Sequence, residues 1–386
     1  MKKGSVNMIR VWKPVFLKVL VAVLSVSAFP AVAVDLTQGA VYLMTNQGNN
    51  AILAFERAPL GTLTRVGRFL TGGAGSPVPQ GSDPPADPLA SQGSLVLSDG
   101  GRFLFAVNAG SNEVSVLAIH PDRLELVETV GSGGVRPISV TARGNLLYVL
   151  NEGGTAPNIV GFRIGSTGDL TRIANSRRSL PSGVMADPAH IAFNPTGRTL
   201  VLTEKATDQI VTYRVRLDGQ TEQPVVSPSN APTPFGIAFD GLGHMFVAEA
   251  AGGLDGIASL SSYEFLPGGV LQNISESVPD LQTYAGRVVV TQDKQFVYVS
   301  NRRSSQISAY QLSEDGSIAL LHSSAFAMGP NGRPIDMAVS RDGQNLYVHL
   351  GNRLALLVFE INPDGTLNAR RSVLDLPSGA QGIAAF

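Results

Sequence analysis

His190, Arg287 and Asp336 each open a short apolar run, and Glu204 and Glu249 each close one. These five residues therefore sit at matching places in a chain of 386 residues. An imidazole beside a carboxylate is the pairing that general acid–base catalysis uses. An arginine nearby is the group that holds a carboxylate or a developing oxyanion. His190 and Glu204, joined by HIAFNPTGRTLVLTE, are the leading acid–base pair, with Arg287 as the anion clamp. Asp336, Glu249, Asn151 and Arg136 complete the set as ligand-contacting residues. Each has a plainer use. Asn151, Asn108 and Asn301 suit turns, Arg287 and Asp336 could pair across neighbouring elements, and His190 could be a half-buried ring with its nitrogens satisfied.

Other chemistries are argued against. No Gly-x-Ser-x-Gly elbow and no cysteine occurs, so the usual serine and thiol nucleophile signatures are missing. The five histidines, His120, His190, His244, His322 and His349, show no metal-ligand spacing. No cofactor is expected. A hard divalent cation held by Glu204, Glu249 and the asparagines is left open. There is no glycine-rich phosphate loop.

The elements that must position these residues are repeats. Pro334 to Leu367, PIDMAVSRDGQNLYVHLGNRLALLVFEINPDGTL, holds three apolar runs and the start of a fourth, separated by the turn signals SRDGQ, GNR and NPDG. Its first half recurs at 94–108, 137–151, 190–204, 236–249 and 287–301. The second runs end at Asn46, Asn108, Asn151, Glu204, Glu249, Asn301 and Leu350, spaced 62, 43, 53, 45, 52 and 49 residues apart. Seven four-stranded antiparallel sheets cannot each bury both faces alone. Arranged in a ring they can, which makes an all-β, seven-bladed propeller. VYLMTN near Ala40 lacks an inner run of its own, and QGIAAF at 381–386 is a spare one, so the termini should share a blade and close the ring. Inner-strand starts then lie beside second-strand ends, about 5 Å away across the ladder, around one mouth of the channel.

Met1–Ala33 reads as a secretory signal. Five basic residues without an acid precede or flank an apolar run at 19–29, and Ala31-Val32-Ala33 is a small-x-small cleavage site. Residues 34–386 would be the single propeller domain, periplasmic or secreted. Removing the signal takes the formal charge from −1 to −6, which disfavours nucleic acid and anionic membranes as partners. The one tryptophan, Trp12, leaves with it. The insert Gly72–Ala90, GGAGSPVPQGSDPPADPLA, explains the long first spacing. It reads as a solvated surface loop, with a flap over the channel as the alternative.

With PTPFGIAF, FVAEA, SSYEF, YVSNRRSSQISAYQL, DGSIAL, RPIDMAVSRDGQNLYV and FEINPDGTL in these repeats, the chain resembles the bacterial lactonase family of seven-bladed propellers. That family includes propeller-type 6-phosphogluconolactonases and the related fungal carboxymuconate cyclases. The resemblance covers nearly all of 34–386. It implies an Arg-His pair opening one inner strand and a Glu closing the next, with a His opening the preceding inner strand. His190 and Glu204 match, whereas Ala189 stands in place of the Arg and Pro137-Ile138 in place of the second His. The implied function is hydrolysis of a sugar or aromatic-derived lactone at the channel mouth, or the reverse lactonising cyclisation. An export signal disfavours 6-phosphogluconolactone, which is made inside the cell. The alternative is a non-catalytic scaffold whose open face binds a protein, a glycan or a small ligand.

Overall fold

Small polar residues at the ends of the inner runs start the fold locally, because each folds a hairpin back on itself. The side chains of Ser98, Asn194, Thr291 and Ser340 accept backbone N–H bonds from four or five residues ahead, at 3.0–3.1 Å. The turns also need a left-handed residue, filled by Gly101, Gly197 and Gly343, and by Lys294 in the sixth blade. Alternating apolar residues on either side of these turns pair as antiparallel strands. In the computed structural model, which describes Met1, Gly4 and residues 34–58, 61–76 and 87–386, they form seven sheets.

Blade 1 runs Ile383–Ala385, Ala40–Met44, Ala51–Arg57, Leu63–Leu70, from the axis outward. Blade 2 begins at Leu95–Leu97, blade 3 at Pro137–Arg143, blade 4 at Pro188–Phe193, blade 5 at Pro234–Phe239, blade 6 at Ala285–Val290 and blade 7 at Pro334–Val339. Six sheets have four strands, and blade 3 adds the two-residue strand Arg178–Ser179. Apolar side chains between successive blades make the core, with Tyr148, Tyr213, Tyr263, Tyr298, Tyr310 and Tyr347 fully buried. The expected signal, 1–33, lies outside the described residues apart from Met1 and Gly4, as does 77–86 of the insert. Among the described residues no helix is long and apolar enough to cross a membrane.

The ring closes as the spare run implies. Val41, Tyr42 and Leu43 pair with Ala385, Ala384 and Ile383. Gln381 N–H donates to the Met44 carbonyl at 3.0 Å and Phe386 N–H to that of Ala40 at 2.9 Å. Tyr42 and Phe386 meet edge to face with centroids 6.3 Å apart.

Deleting 381–386 would leave the inner edge of Ala40–Met44 unpaired. The expected result is a melting temperature lower by on the order of 10 °C, a loss of several kcal/mol at about 2–4 °C each, with aggregation on heating. An unchanged calorimetric transition would mean that the C-terminal strand does not hold the ring.

Candidate functional site

Where the inner strands begin, the ladders slip. A register irregularity falls between Pro137 and Ser139, Pro188 and His190, Pro234 and Ile237, Ala285 and Val288, and Pro334 and Asp336. Such a bulge re-aims the side chains beside it. In blades 4 to 7 the strands accordingly start two residues earlier than the apolar runs suggest, and the cross-strand partners change. Glu204 faces Pro188, while His190 faces Thr203.

His190 and Glu204, read from the sequence as the leading acid–base pair, therefore do not bond each other directly. Thr203 and Glu204 are consecutive on a strand, so their side chains leave opposite faces of the sheet. Toward blade 5, Thr203 Oγ1 donates to the Phe235 carbonyl at 2.6 Å, and His190 Nδ1 accepts the Ile237 N–H at 3.0 Å. A neutral ring accepting at Nδ1 carries its hydrogen on Nε2, so in this arrangement His190 offers a donor rather than a base. Glu204 Oε2 instead accepts from Thr207 Oγ1 at 3.0 Å, and its Oε1 is buried without a partner among the described residues.

Glu204 belongs to a device repeated around the ring. At the end of the second strand, Asn108 Nδ2 and Asn301 Nδ2 each donate at 2.7 Å to Ser115 Oγ and Ser308 Oγ, two residues into the third strand. Glu249 takes bonds from Ser259 and Ser261 at 2.7–2.9 Å and from Ser229 at 3.1 Å. Burial raises its carboxyl above the ordinary value, partly offset by those serines. Asn151 Nδ2 donates to Asn158 Oδ1 at 3.2 Å. In blade 4 the matching third-strand residue is Val211, which leaves Glu204 Oε1 without a hydroxyl. Asn108, Asn151 and Asn301 thus tie strands together inside the blades and do not serve turns. Glu249 and Asn151, expected to touch ligand, are fully buried in the same ladder. Arg136 pairs with Glu152 and donates from Nη2 to the Pro88 carbonyl at 2.7 Å.

Arg287 and Asp336 do reach the axis, and what meets them there is the end of the insert. The fully buried Arg287 grips Asp87 through two bonds of 2.6 Å, Nη1 to Oδ2 and Nη2 to Oδ1. Nη2 also donates to the Ser91 carbonyl at 2.6 Å, and the guanidinium lies over Phe235, 4.8 Å from its centroid. Burial alone would push the Asp87 carboxyl up, but the charge and hydrogen bonds of Arg287 together hold it below its ordinary value.

Beyond Asp87 the chain crosses the hub. The Leu89 N–H donates to Gln381 Oε1 in the loop entering blade 1, Ser91 Oγ to the Ile138 carbonyl in blade 3, and the Gln92 N–H to the Ala189 carbonyl in blade 4, at 2.9, 2.8 and 3.2 Å. Lys205 Nζ reaches the Ala90 carbonyl at 3.0 Å. The Gln92 amide spans blades 5 and 6, donating to the Ile237 and Val288 carbonyls at 3.4 and 3.1 Å. Gly93, at φ +78°, follows so closely under His190 that a Cβ there would lie 2.9 Å from Nε2. The solvated-loop reading is thus overturned for 87–90, the described end of the insert, because buried backbone polar groups must be paired and here the ring pairs them.

Sequence reasoning missed Asp87, Gln92, Gln381 and His349. His349 lies opposite Asp336 across the ladder, is 1% exposed, and has no partner for either ring nitrogen among the described residues. Its place one residue before the end of a second strand was the available signal. Asp336 accepts the Gly382 and Met337 N–H groups at 3.0 Å each. Burial raises its carboxyl to about 7, against the pull of Arg287. Burial, with the Arg287 charge second, lowers both His190 and His349 to about 3. No group of three His, Cys, Asp or Glu among the described residues could hold a metal ion. A surface cavity of about 450 Å³, lined by Asn49, Gly72, Ser111 and Glu113 among others, shares no residue with this hub.

A family model described as "Lactonase, 7-bladed beta-propeller" matches residues 76–188 and 183–380, and the chain belongs to that family. The fold is similar to a putative 6-phosphogluconolactonase of Bacteroides fragilis, at 17% identity and a TM-score of 0.67, covering 91% of this chain and 98% of that one. It is equally similar to the periplasmic gluconolactonase of Pseudomonas aeruginosa, at 17% identity and a TM-score of 0.68, covering 89% and 98%. An uncharacterised protein of Staphylococcus epidermidis is 24% identical over 243 residues, 58% of this chain and 69% of that protein.

The hub groups oppose one another in pH. His190 and His349, held to about 3 against an ordinary 6.5, contribute stability that is present above about 6.5 and lost as pH falls toward 3. Asp336, raised to about 7 from 3.8, contributes stability that is full below about 4 and lost as pH rises through 7. Asp336→Asn removes the second slope. Its melting temperature should climb more steeply between pH 4 and 6.5 than that of the wild type, read by scanning calorimetry. Parallel curves would show Asp336 ionised throughout.

Proposed function

We propose that this chain is an exported lactonase-family propeller that hydrolyses a sugar or aromatic-derived lactone at the channel mouth. The observation that carries the reading is that His190 and Asp336, from two other inner strands, each lie within electrostatic reach of Arg287. Family membership and the fold of gluconolactonase neighbours support the reaction class.

In this reading Asp336, whose carboxyl titrates near neutrality, takes a proton from the attacking water. The water oxygen bonds to the acyl carbon and the ring C–O bond breaks. The proton returns to the departing ring oxygen, giving a hydroxy acid. Arg287 stabilises the oxyanion and His190 Nε2–H supplies a second donor. Glu204, directed into the blade, acts by holding the Thr207 loop.

A second reading is favoured by the chain at 87–93, which fills the hub with hydrogen-bonded backbone. It makes the propeller a non-catalytic scaffold that binds a small ligand, glycan or protein at its open face. A panel of sugar and aromatic lactones, with and without Ca²⁺ or Mg²⁺, separates the two. Hydrolysis should fall on the order of a hundredfold or more in Asp336→Asn, the scale of a lost general base. Glu204→Gln should lose much less. A folded wild type inert on every lactone would leave the scaffold reading.

Export is tested separately. N-terminal sequencing of protein from the culture medium or periplasm should begin at Val34, after the small residues Ala31 and Ala33. Recovery of the full chain in membranes would make the apolar run an anchor.

A further inference from the structure

We infer that Asp87 is an intramolecular stand-in for a carboxylate ligand: the Arg287 site binds the carboxylate of a hydroxy acid, and the chain's own 87–93 segment competes for it. The inference deepens the proposed function, on which it rests for the ligand class, since lactone hydrolysis releases such an acid.

The geometry has the form of ligand recognition. Two parallel 2.6 Å bonds between a guanidinium and a carboxylate are the fork–fork pairing used to bind free carboxylates. The guanidinium is braced on the other side by the face of Phe235. It is supplied by blade 6, whereas the carboxylate arrives from the segment leading into blade 2, 200 residues away in sequence. Asp87 is thus the charged end of a segment rather than a neighbour in the same blade. It is also the only acid bonded to this guanidinium among the described residues, since Asp336 spends its oxygens on the Gly382 and Met337 N–H groups. The charges of Arg302 and Lys205 add to the pull of Arg287 on Asp87.

The other contacts of the segment fit displacement. Beyond Asp87, Pro88, Leu89 and Ser91 are buried, the Ser91 hydroxyl bonds blade 3 and the Gln92 amide blades 5 and 6, and the remaining bonds are made by backbone N–H and carbonyl groups. Water or a polyhydroxy ligand can replace hydrogen bonds of that kind. A tethered carboxylate acts at an effective concentration of about millimolar or more. A free carboxylate therefore binds the wild type with its affinity reduced by that competition.

D-Gluconate is the probe, in two measurements. By titration calorimetry, Asp87→Asn should bind gluconate at least tenfold more tightly than the wild type, and the double variant Asp87→Asn/Arg287→Met should not bind it. By hydrogen exchange on the wild type, amides in 87–93 should exchange at least tenfold faster in excess gluconate, with the rest of the ring unchanged. Folded Asp87→Asn that binds gluconate no better than the wild type overturns the inference. If Asp87→Asn does not fold, unchanged wild-type exchange at 87–93 overturns it. Gluconate binding of this pattern without turnover of any lactone keeps the inference and sinks the hydrolytic reading. Lactone turnover without any effect of gluconate does the reverse.

Discussion

The pair of Arg287 and Asp87, each almost wholly enclosed, sets the conditions for everything at the axis. A buried ion pair stabilises a protein little in net terms, because desolvation of both ions offsets their attraction. Leaving one partner alone, however, costs about 3–5 kcal/mol. The pair therefore acts as a constraint. Wherever the guanidinium sits, the end of the insert must follow, and with it the chain to Gly93. Burial keeps His190 and His349 neutral, the same positive charge reinforces it, and that charge tempers the rise of Asp336. Burial sets the protonation of these three neighbours, contributed by blades 4 and 7, and the one cation adds to it at the histidines and opposes it at Asp336.

Around that centre the blades repeat one plan with local exceptions, and the exceptions are where chemistry could enter. The ladder from second-strand Asn or Glu to a third-strand hydroxyl is complete in blades 2, 5 and 6 and interrupted in blade 4 by Val211. Glu204 is left with a bare, buried oxygen as a result. That is an architectural reason for its perturbed surroundings, independent of any catalytic one. The bulges that begin the inner strands have the opposite effect, since they turn Arg287 and Asp336 toward the axis and away from a regular ladder.

The family's propeller is kept, and the chain at 87–93 crosses its hub. Ala189 stands where the resemblance implies an arginine, and the Gln92 N–H reaches its carbonyl. A methyl group leaves space for the crossing chain that a guanidinium would occupy. The cation that remains, Arg287, comes from another blade and is engaged by the protein itself.

Seven blades, their strand order and the closing strand were legible in the sequence because they depend on local periodicity. Alternation of period two, hairpin turns such as SRDG and NPTG, and a spare run at 381–386 admit few other arrangements. Residue types likewise marked Arg287, Asp336 and His190. Only the tertiary structure decided which of them meet. The register of the hairpin sets His190 opposite Thr203 and so parts it from Glu204, whose side chain leaves the other face, with no change in composition that would announce it. Asp87, in a proline-rich stretch with the signature of a solvated loop, is brought to Arg287 by ring closure across 200 residues. Local patterns are written in neighbouring residues, whereas a contact at the axis exists only once every blade has taken its place.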